Sequence, residues 1–87
     1  DEASWTEFIG VSVNSFKEAR EQMADAISAG DMDTVSKVRH AIGPSLTQWG
    51  AVTLEGTLRR LDASNMGELW PSVEPEFDAL FAAFEAL

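Results

Sequence analysis

The fold is decided by residues 35–50, which read VSKVRHAIGPSLTQWG. Apolar side chains recur in this stretch at three- and four-residue steps, at Val35, Val38, Ile42, Leu46 and Trp49. Such steps return to the same side of an α-helix, which has 3.6 residues per turn, so these side chains form one apolar face. With Asp31 as the expected N-cap and Gly50 as the stop, we predict a helix over residues 32–50.

The segments on either side show the same period, and it predicts three more helices. We place these helices at about residues 5–29, 54–63 and 66–87. Their expected N-caps are Ser4 (with Glu7 completing a capping box), Thr53 and Asn65. The apolar positions are Trp5, Phe8, Ile9, Val13, Phe16, Met23 and Ile27, then Leu54, Leu58 and Leu61, then Phe77, Leu80, Phe81, Phe84 and Leu87.

Two places in the predicted helices carry helix-breaking residues. Gly43-Pro44 either breaks the second helix into two pieces or is tolerated within it, and the apolar face stays in phase across the pair. Pro71 and Pro75 indicate either a kink in the fourth helix or a fresh start with Ser72 as its cap. The tryptophans and phenylalanines are expected in the core.

Four amphipathic helices with short links cannot bury their apolar faces separately, so they should pack against one another. No stretch alternates apolar and polar residues over the length of a strand, and no Asn-Gly or Asp-Gly hairpin signal occurs. The sequence therefore predicts an all-α protein, an antiparallel up-down four-helix bundle. Its 87 residues correspond to one domain, 1–87, with a monomer expected.

The charge of the chain narrows the classes of partner. It has 15 acidic and 6 basic residues and a formal net charge of −9, which disfavours binding to nucleic acid and to anionic membrane surfaces. It has no cysteine and one histidine, so we expect no metal site and no cofactor. No apolar run is long enough to span a bilayer, and we expect a cytoplasmic protein.

The one histidine, His40, is on the wrong face of the second helix for a core residue. On a helical wheel it lies roughly 160° from the apolar face and should point into solvent from the middle of the helix. Most exposed histidines have no special role, and that interpretation remains open here. Two neighbours argue for a function, because Gly43 and Pro44 cost a helix interior about 1 and about 3 kcal/mol relative to alanine.

Several short motifs follow one another in a fixed order around this histidine. They are Ala29-Gly30-Asp31, then Val35 and Val38, then His40-Ala41-Ile42, Ser45 and Gly50-Ala51, and finally Leu54, Leu58 and Leu61. In this order and spacing, nearly the whole chain resembles a histidine-containing phosphotransfer (HPt) domain. Members of that family are antiparallel four-helix bundles in which an exposed histidine carries a phosphoryl group.

The resemblance implies a role for several residues. His40 matches the phospho-accepting histidine, Ser45 the small residue packed beneath it, and Asp62 the residue of the next helix that hydrogen-bonds the imidazole. An ordinary exposed carboxylate remains the alternative for Asp62. The family's lysine, three residues after the histidine, is Gly43 here, so Lys37, one turn earlier, is a candidate to supply the missing charge.

The surface around His40 is the expected docking surface for a partner. Its residues are small and uncharged apart from Lys37, and the expected docking residues are Ser36, Gly43, Pro44 and Thr47. The resemblance implies that the partner is a response-regulator receiver domain that carries its own Mg²⁺. It also implies a histidine kinase as the source of the phosphoryl group, which can belong to the same chain. No nucleotide-binding glycine loop is visible in this sequence, so no autonomous kinase activity is expected.

The expected function is phosphorelay signalling, with reversible transfer of a phosphoryl group between His40 and a receiver aspartate. One alternative is an HPt-like module that docks receivers without efficient transfer, given the missing lysine. A more distant alternative is an acidic acyl-carrier-like protein, although neither Ser45 nor Ser64 follows the aspartate that a carrier needs. The start at Asp1 favours a fragment, such as the cytoplasmic end of a membrane-anchored hybrid sensor kinase.

Overall fold

The computed structural model describes all residues, 1–87, and contains four α-helices and no strand. These are α1 (Glu2–Ser28), α2 (Met32–Gln48), α3 (Val52–Arg59) and α4 (Met66–Glu85). The prediction of an all-α four-helix bundle is confirmed. None of the four helices combines the length and the apolar composition needed to cross a bilayer.

The first helix begins earlier than predicted because a different residue caps it. The Asp1 carboxylate accepts a hydrogen bond from the Ser4 backbone N–H at 2.8 Å, so Asp1 is the N-cap and the assignment to Ser4 is wrong. The second cap is confirmed, since Asp31 accepts from the Thr34 N–H at 3.1 Å. Gly30 lies between α1 and α2 with a positive φ of 70°, a conformation that glycine adopts without steric cost.

The third helix is shorter than predicted and begins earlier. It starts after Ala51, which makes no side-chain cap, rather than after Thr53, and it ends at Arg59 instead of residue 63. Residues 60–65 form the link to α4. The predicted cap Asn65 does precede α4, but its side-chain oxygen accepts from the Asp62 N–H and caps no helical N–H.

Prolines do not interrupt the helices. Helix α2 runs unbroken through Gly43-Pro44, and α4 through Pro71 and Pro75. In α2 the buried Ile42 and Leu46 flank the pair and hold both sides of the helix against the core. Burying two such side chains contributes about 1.5–3 kcal/mol each, which offsets the local cost of glycine and proline.

Each helix packs against two neighbours, in the order α1, α2, α3, α4 around the bundle. The bundle is elongated, 45 Å by 18 Å by 18 Å, because consecutive helices run antiparallel along one axis. The most deeply buried large side chains are Phe16, Met23, Val35, Leu46, Leu58, Val73 and Phe77. Every helix therefore contributes to one continuous core.

Ion pairs tie the first helix to the last. The Arg20 guanidinium donates to the carboxylates of Asp78 at 2.5 Å and Glu74 at 3.2 Å. The hydrogen bond to Asp78 makes the largest contribution to raising the pKa of Arg20 above its usual value. Arg20 therefore has a structural role in the α1–α4 contact.

The expectation that all large aromatic side chains lie in the core is wrong for two of them. Trp5 is 51% exposed and Phe8 is 43% exposed. The reason is the unequal length of the helices: at 1.5 Å per residue, α1 is about 40 Å long and α2 about 26 Å. The first turns of α1 therefore extend to where the neighbouring helices end, and residues 1–8 are all exposed.

Candidate functional site

A polar groove between α2 and α3 contains His40. Helix α2 supplies most of its lining and α3 the rest. The lining residues are Ser36, Lys37, Arg39, His40, Gly43, Pro44, Leu46, Thr47, Glu55, Leu58 and Arg59. The four residues expected to form a docking surface therefore border the same groove as the histidine.

His40 lies in the middle of α2 and its side chain is exposed. This agrees with the helical wheel, which placed it opposite the buried Val38 and Ile42. No side chain or carbonyl of the chain makes a hydrogen bond with the imidazole, whose nitrogens are therefore open to an incoming group. The helix beneath it is held on both sides by the core, so the ring projects from a rigid support.

The neighbouring cation, Arg39, makes hydrogen bonds that connect α2 to the end of α3. Its guanidinium donates to the carbonyl oxygens of Leu58 at 3.0 Å and Leu61 at 2.8 Å, and to Ser36 Oγ at 3.1 Å. Carbonyls at the end of a helix have no partner within the helix, and the helix dipole makes this end negative. Arg39 therefore caps the C-terminus of α3 and fixes the far wall of the groove.

Glu55 and Arg59 bring a second cation into the groove from α3. Arg59 Nε lies 2.5 Å from Glu55 Oε1, four residues earlier on the helix. The Arg59 side chain is 74% exposed, whereas that of Glu55 is 17% exposed. The Arg59 guanidinium thus faces solvent at the border of the groove, where an anion bound in the groove can approach it.

Lys37 is the cation with no partner, since no hydrogen bond or ion pair of the chain involves it. It lies one turn before His40 on α2 and borders the same groove. Together the groove holds three Lys or Arg residues and a single carboxylate, Glu55, in a chain whose formal net charge is −9. The site is thus a local positive region that attracts anions on an otherwise acidic surface.

Asp62 is not where the resemblance puts it. Helix α3 ends at Arg59, and Asp62 lies in the following turn, where its Oδ1 accepts from the N–H and hydroxyl of Ser64 and from the N–H of Asn65. These hydrogen bonds, that from the Ser64 hydroxyl foremost, lower the pKa of Asp62. The carboxylate is engaged in its own turn and does not border the groove.

Ser45 also lies outside the groove. It is exposed on α2 and does not border the histidine's surroundings. The structure therefore brings together His40, Lys37, Ser36, Gly43, Pro44 and Thr47, and it separates Asp62 and Ser45 from them.

Glu55 and Arg59 lie near the histidine although the sequence did not predict them there. A signal for them was present, because a glutamate four residues before an arginine is a favourable pair on a helix. The sequence also contains a signal for the turn at Asp62, because the pattern Asp62-x-Ser64-Asn65 is typical of an aspartate whose side chain accepts hydrogen bonds within its own turn.

The structure arranges no group of three or more histidine, aspartate or glutamate side chains that could hold a metal ion. The groove places the exposed imidazole of His40 near two cationic side chains, Lys37 and Arg59. Such a site can present a nucleophilic nitrogen and neutralise an anionic group that approaches it.

Comparison with known proteins returned no relative: no family model, no curated protein and no solved structure matches the chain. The function must therefore be argued from the site itself.

Because Arg39 hydrogen-bonds the carbonyls of Leu58 and Leu61, we expect it to contribute to the free energy of unfolding, whereas Lys37 should contribute little. Replacing Arg39 by alanine removes its hydrogen bonds to the carbonyls of Leu58 and Leu61, and hydrogen bonds to charged groups contribute about 1.5–3 kcal/mol. We expect Arg39→Ala to lower the free energy of unfolding by that amount in urea titrations followed by circular dichroism. The matched control Lys37→Ala should change it by about 0.5 kcal/mol or less. Equal losses in the two variants would contradict this assignment.

Proposed function

We propose that this chain is a phosphotransfer intermediate in which His40 reversibly accepts a phosphoryl group from an aspartyl phosphate. The observation that supports it best is an exposed imidazole without a hydrogen-bond partner, in a groove lined by three of the six Lys and Arg residues of an acidic chain. The partner this implies is a receiver domain with its own Mg²⁺. The HPt resemblance in the sequence points to the same chemistry.

The step needs little from the chain beyond position and charge. His40 Nε2 attacks the phosphorus, an N–P bond forms, and the P–O bond to the receiver aspartate breaks. The aspartate leaves as a carboxylate, and the proton on Nδ1 stays on the ring. The same groove serves the reverse step, in which the carboxylate attacks the phosphorus and the neutral imidazole leaves.

Lys37 and Arg59 supply the charge that the family's lysine provides. The phosphoryl oxygens carry negative charge throughout the step, so cations on either side of His40 stabilise the transferring group. Lys37 reaches it from α2 and Arg59 from α3, in place of a lysine at position 43. In this proposal, Asp62 makes no contact with the imidazole.

The proposal predicts label on one residue only. The chain, incubated with ³²P-phosphorylated receiver domains, should gain an acid-labile, base-stable phosphoryl group, because N–P bonds hydrolyse in acid. His40→Gln should abolish this label while leaving the helical circular-dichroism signal unchanged. Label retained by His40→Gln would contradict the proposal. Receiver binding without any label would favour the docking module instead.

The free cation should affect the rate of transfer. A solvent-exposed charge interaction is worth about 1 kcal/mol or less, so Lys37→Ala should slow transfer by up to about fivefold. The matched control is Lys17→Ala, which removes an exposed lysine from α1, outside the groove. Rapid-quench measurements of both variants test this. An equal effect of the two substitutions would mean that only net charge matters.

Restoring the family's lysine should improve both rate and stability. Apart from its chain neighbours and the backbone of its own helix, a Cβ at Gly43 would meet no atom within 4 Å, so the other helices leave room for Gly43→Lys. It adds a cation one turn from His40 and removes a helix-interior glycine, worth about 0.5–1 kcal/mol.

The control is Gly10→Lys in α1, where a Cβ is equally unobstructed. It should stabilise the fold to a similar degree without raising the transfer rate. If Gly43→Lys abolishes receiver binding, the bare surface at Gly43 is a docking feature and the role of charge there is wrong.

A further inference from the structure

One end of the bundle carries an exposed aromatic cluster that is separate from the groove. Trp5 and Phe8 of α1 pack against Trp49 with ring centroids 5.8 Å and 5.4 Å apart. Trp49 in turn packs edge-on against Phe84 of α4 at 4.8 Å. We call Trp5, Phe8, Val11, Trp49 and Phe84 the aromatic end.

The outer part of the aromatic end is open to solvent. Trp5 is 51% exposed, Phe8 43% and Val11 68%, and these residues follow one another at three-residue steps along the first turns of α1. Aromatic side chains bury large areas and are enriched at the centres of protein interfaces. Exposed apolar side chains on the first turns of α1, at the end of the bundle, form a surface that a partner can cover.

The charges around the aromatic end are all of one sign. Asp1, Glu2 and Glu7 accompany the aromatic residues on α1, and Glu85 follows Phe84 on α4. No lysine or arginine occurs in residues 1–16, 43–54 or 79–87, the parts of the chain that form this end. The surface is therefore both apolar and anionic, in contrast to the cationic groove at His40.

We infer that the aromatic end docks a cationic amphipathic segment of a partner protein. The apolar face of such a segment would cover Trp5, Phe8 and Val11, and its lysine or arginine flanks would meet Glu2 and Glu7. A second copy of this chain is disfavoured, because pairing two identical ends brings like charges together. An anionic membrane surface is disfavoured by the same repulsion. This inference is independent of the chemistry proposed for His40.

Binding of a designed peptide tests the inference on the intact chain. The probe is an 18-residue helix of leucine and lysine with one apolar face, compared with the same peptide carrying glutamate in place of lysine. We expect calorimetry to show binding of the lysine peptide and none of the glutamate peptide. Trp5→Ala should weaken binding at least tenfold, since aromatic anchors dominate such interfaces. Val11→Ser, at a more exposed position, is the second variant and should also weaken it.

Charge variants on one helix separate a docking site from general attraction to an acidic protein. Glu2→Gln with Glu7→Gln should weaken binding several-fold at low salt. The matched pair Glu21→Gln with Asp25→Asn removes two exposed acids further along α1 and should have a much smaller effect.

Three results would overturn the inference. The first is equal weakening by both pairs of charge variants, and the second is no effect of either apolar substitution. The third is another occupant: a dimer in sedimentation experiments that Trp5→Ala disperses, or binding to phosphatidylcholine vesicles that Trp5→Ala removes.

Discussion

The contact between the Arg39 guanidinium and the end of α3 is the interaction on which the site depends. Helix α3 has only eight residues, too few to be stable alone, and its last carbonyls have no partner within the helix. Arg39, next to His40, donates to the carbonyl oxygen of Leu58 in the last turn of α3 and to that of Leu61 in the link after it. The same side chain thus ends α3, joins it to α2 and sets the distance between the imidazole and the opposite wall of the groove.

The distribution of charge follows from this arrangement. The Arg39 guanidinium is held by carbonyl oxygens, while Lys37 and Arg59 border the groove without such contacts to the other helix. Elsewhere acidic residues outnumber basic ones, and the formal net charge of the chain is −9. If His40 is phosphorylated as proposed, the Lys and Arg side chains beside it would favour docking of a receiver domain at the groove.

What the sequence could and could not predict depends on whether the cause is local. The apolar spacing of α2 predicted its exposed histidine, because the phase of a helix is a local property. Whether α2 continues through Gly43-Pro44 was left open by the sequence, although its apolar residues stay in phase across the pair. The exposure of Trp5 depends on the relative lengths of packed helices, and the position of Asp62 depends on a turn that ends α3 early. Both depend on how the helices pack and on hydrogen bonds within a turn, and the spacing of apolar residues does not report either.

Locating the phosphorus on the imidazole tests the central claim most directly. Phosphoramidate donates a phosphoryl group to imidazole nitrogens with loss of ammonia, so no receiver partner is required. In ¹⁵N-labelled chain treated this way, the account predicts a single ³¹P resonance coupled to Nε2 of His40. A resonance coupled to no ring nitrogen, or a chain that takes up no phosphorus while remaining folded, would contradict it.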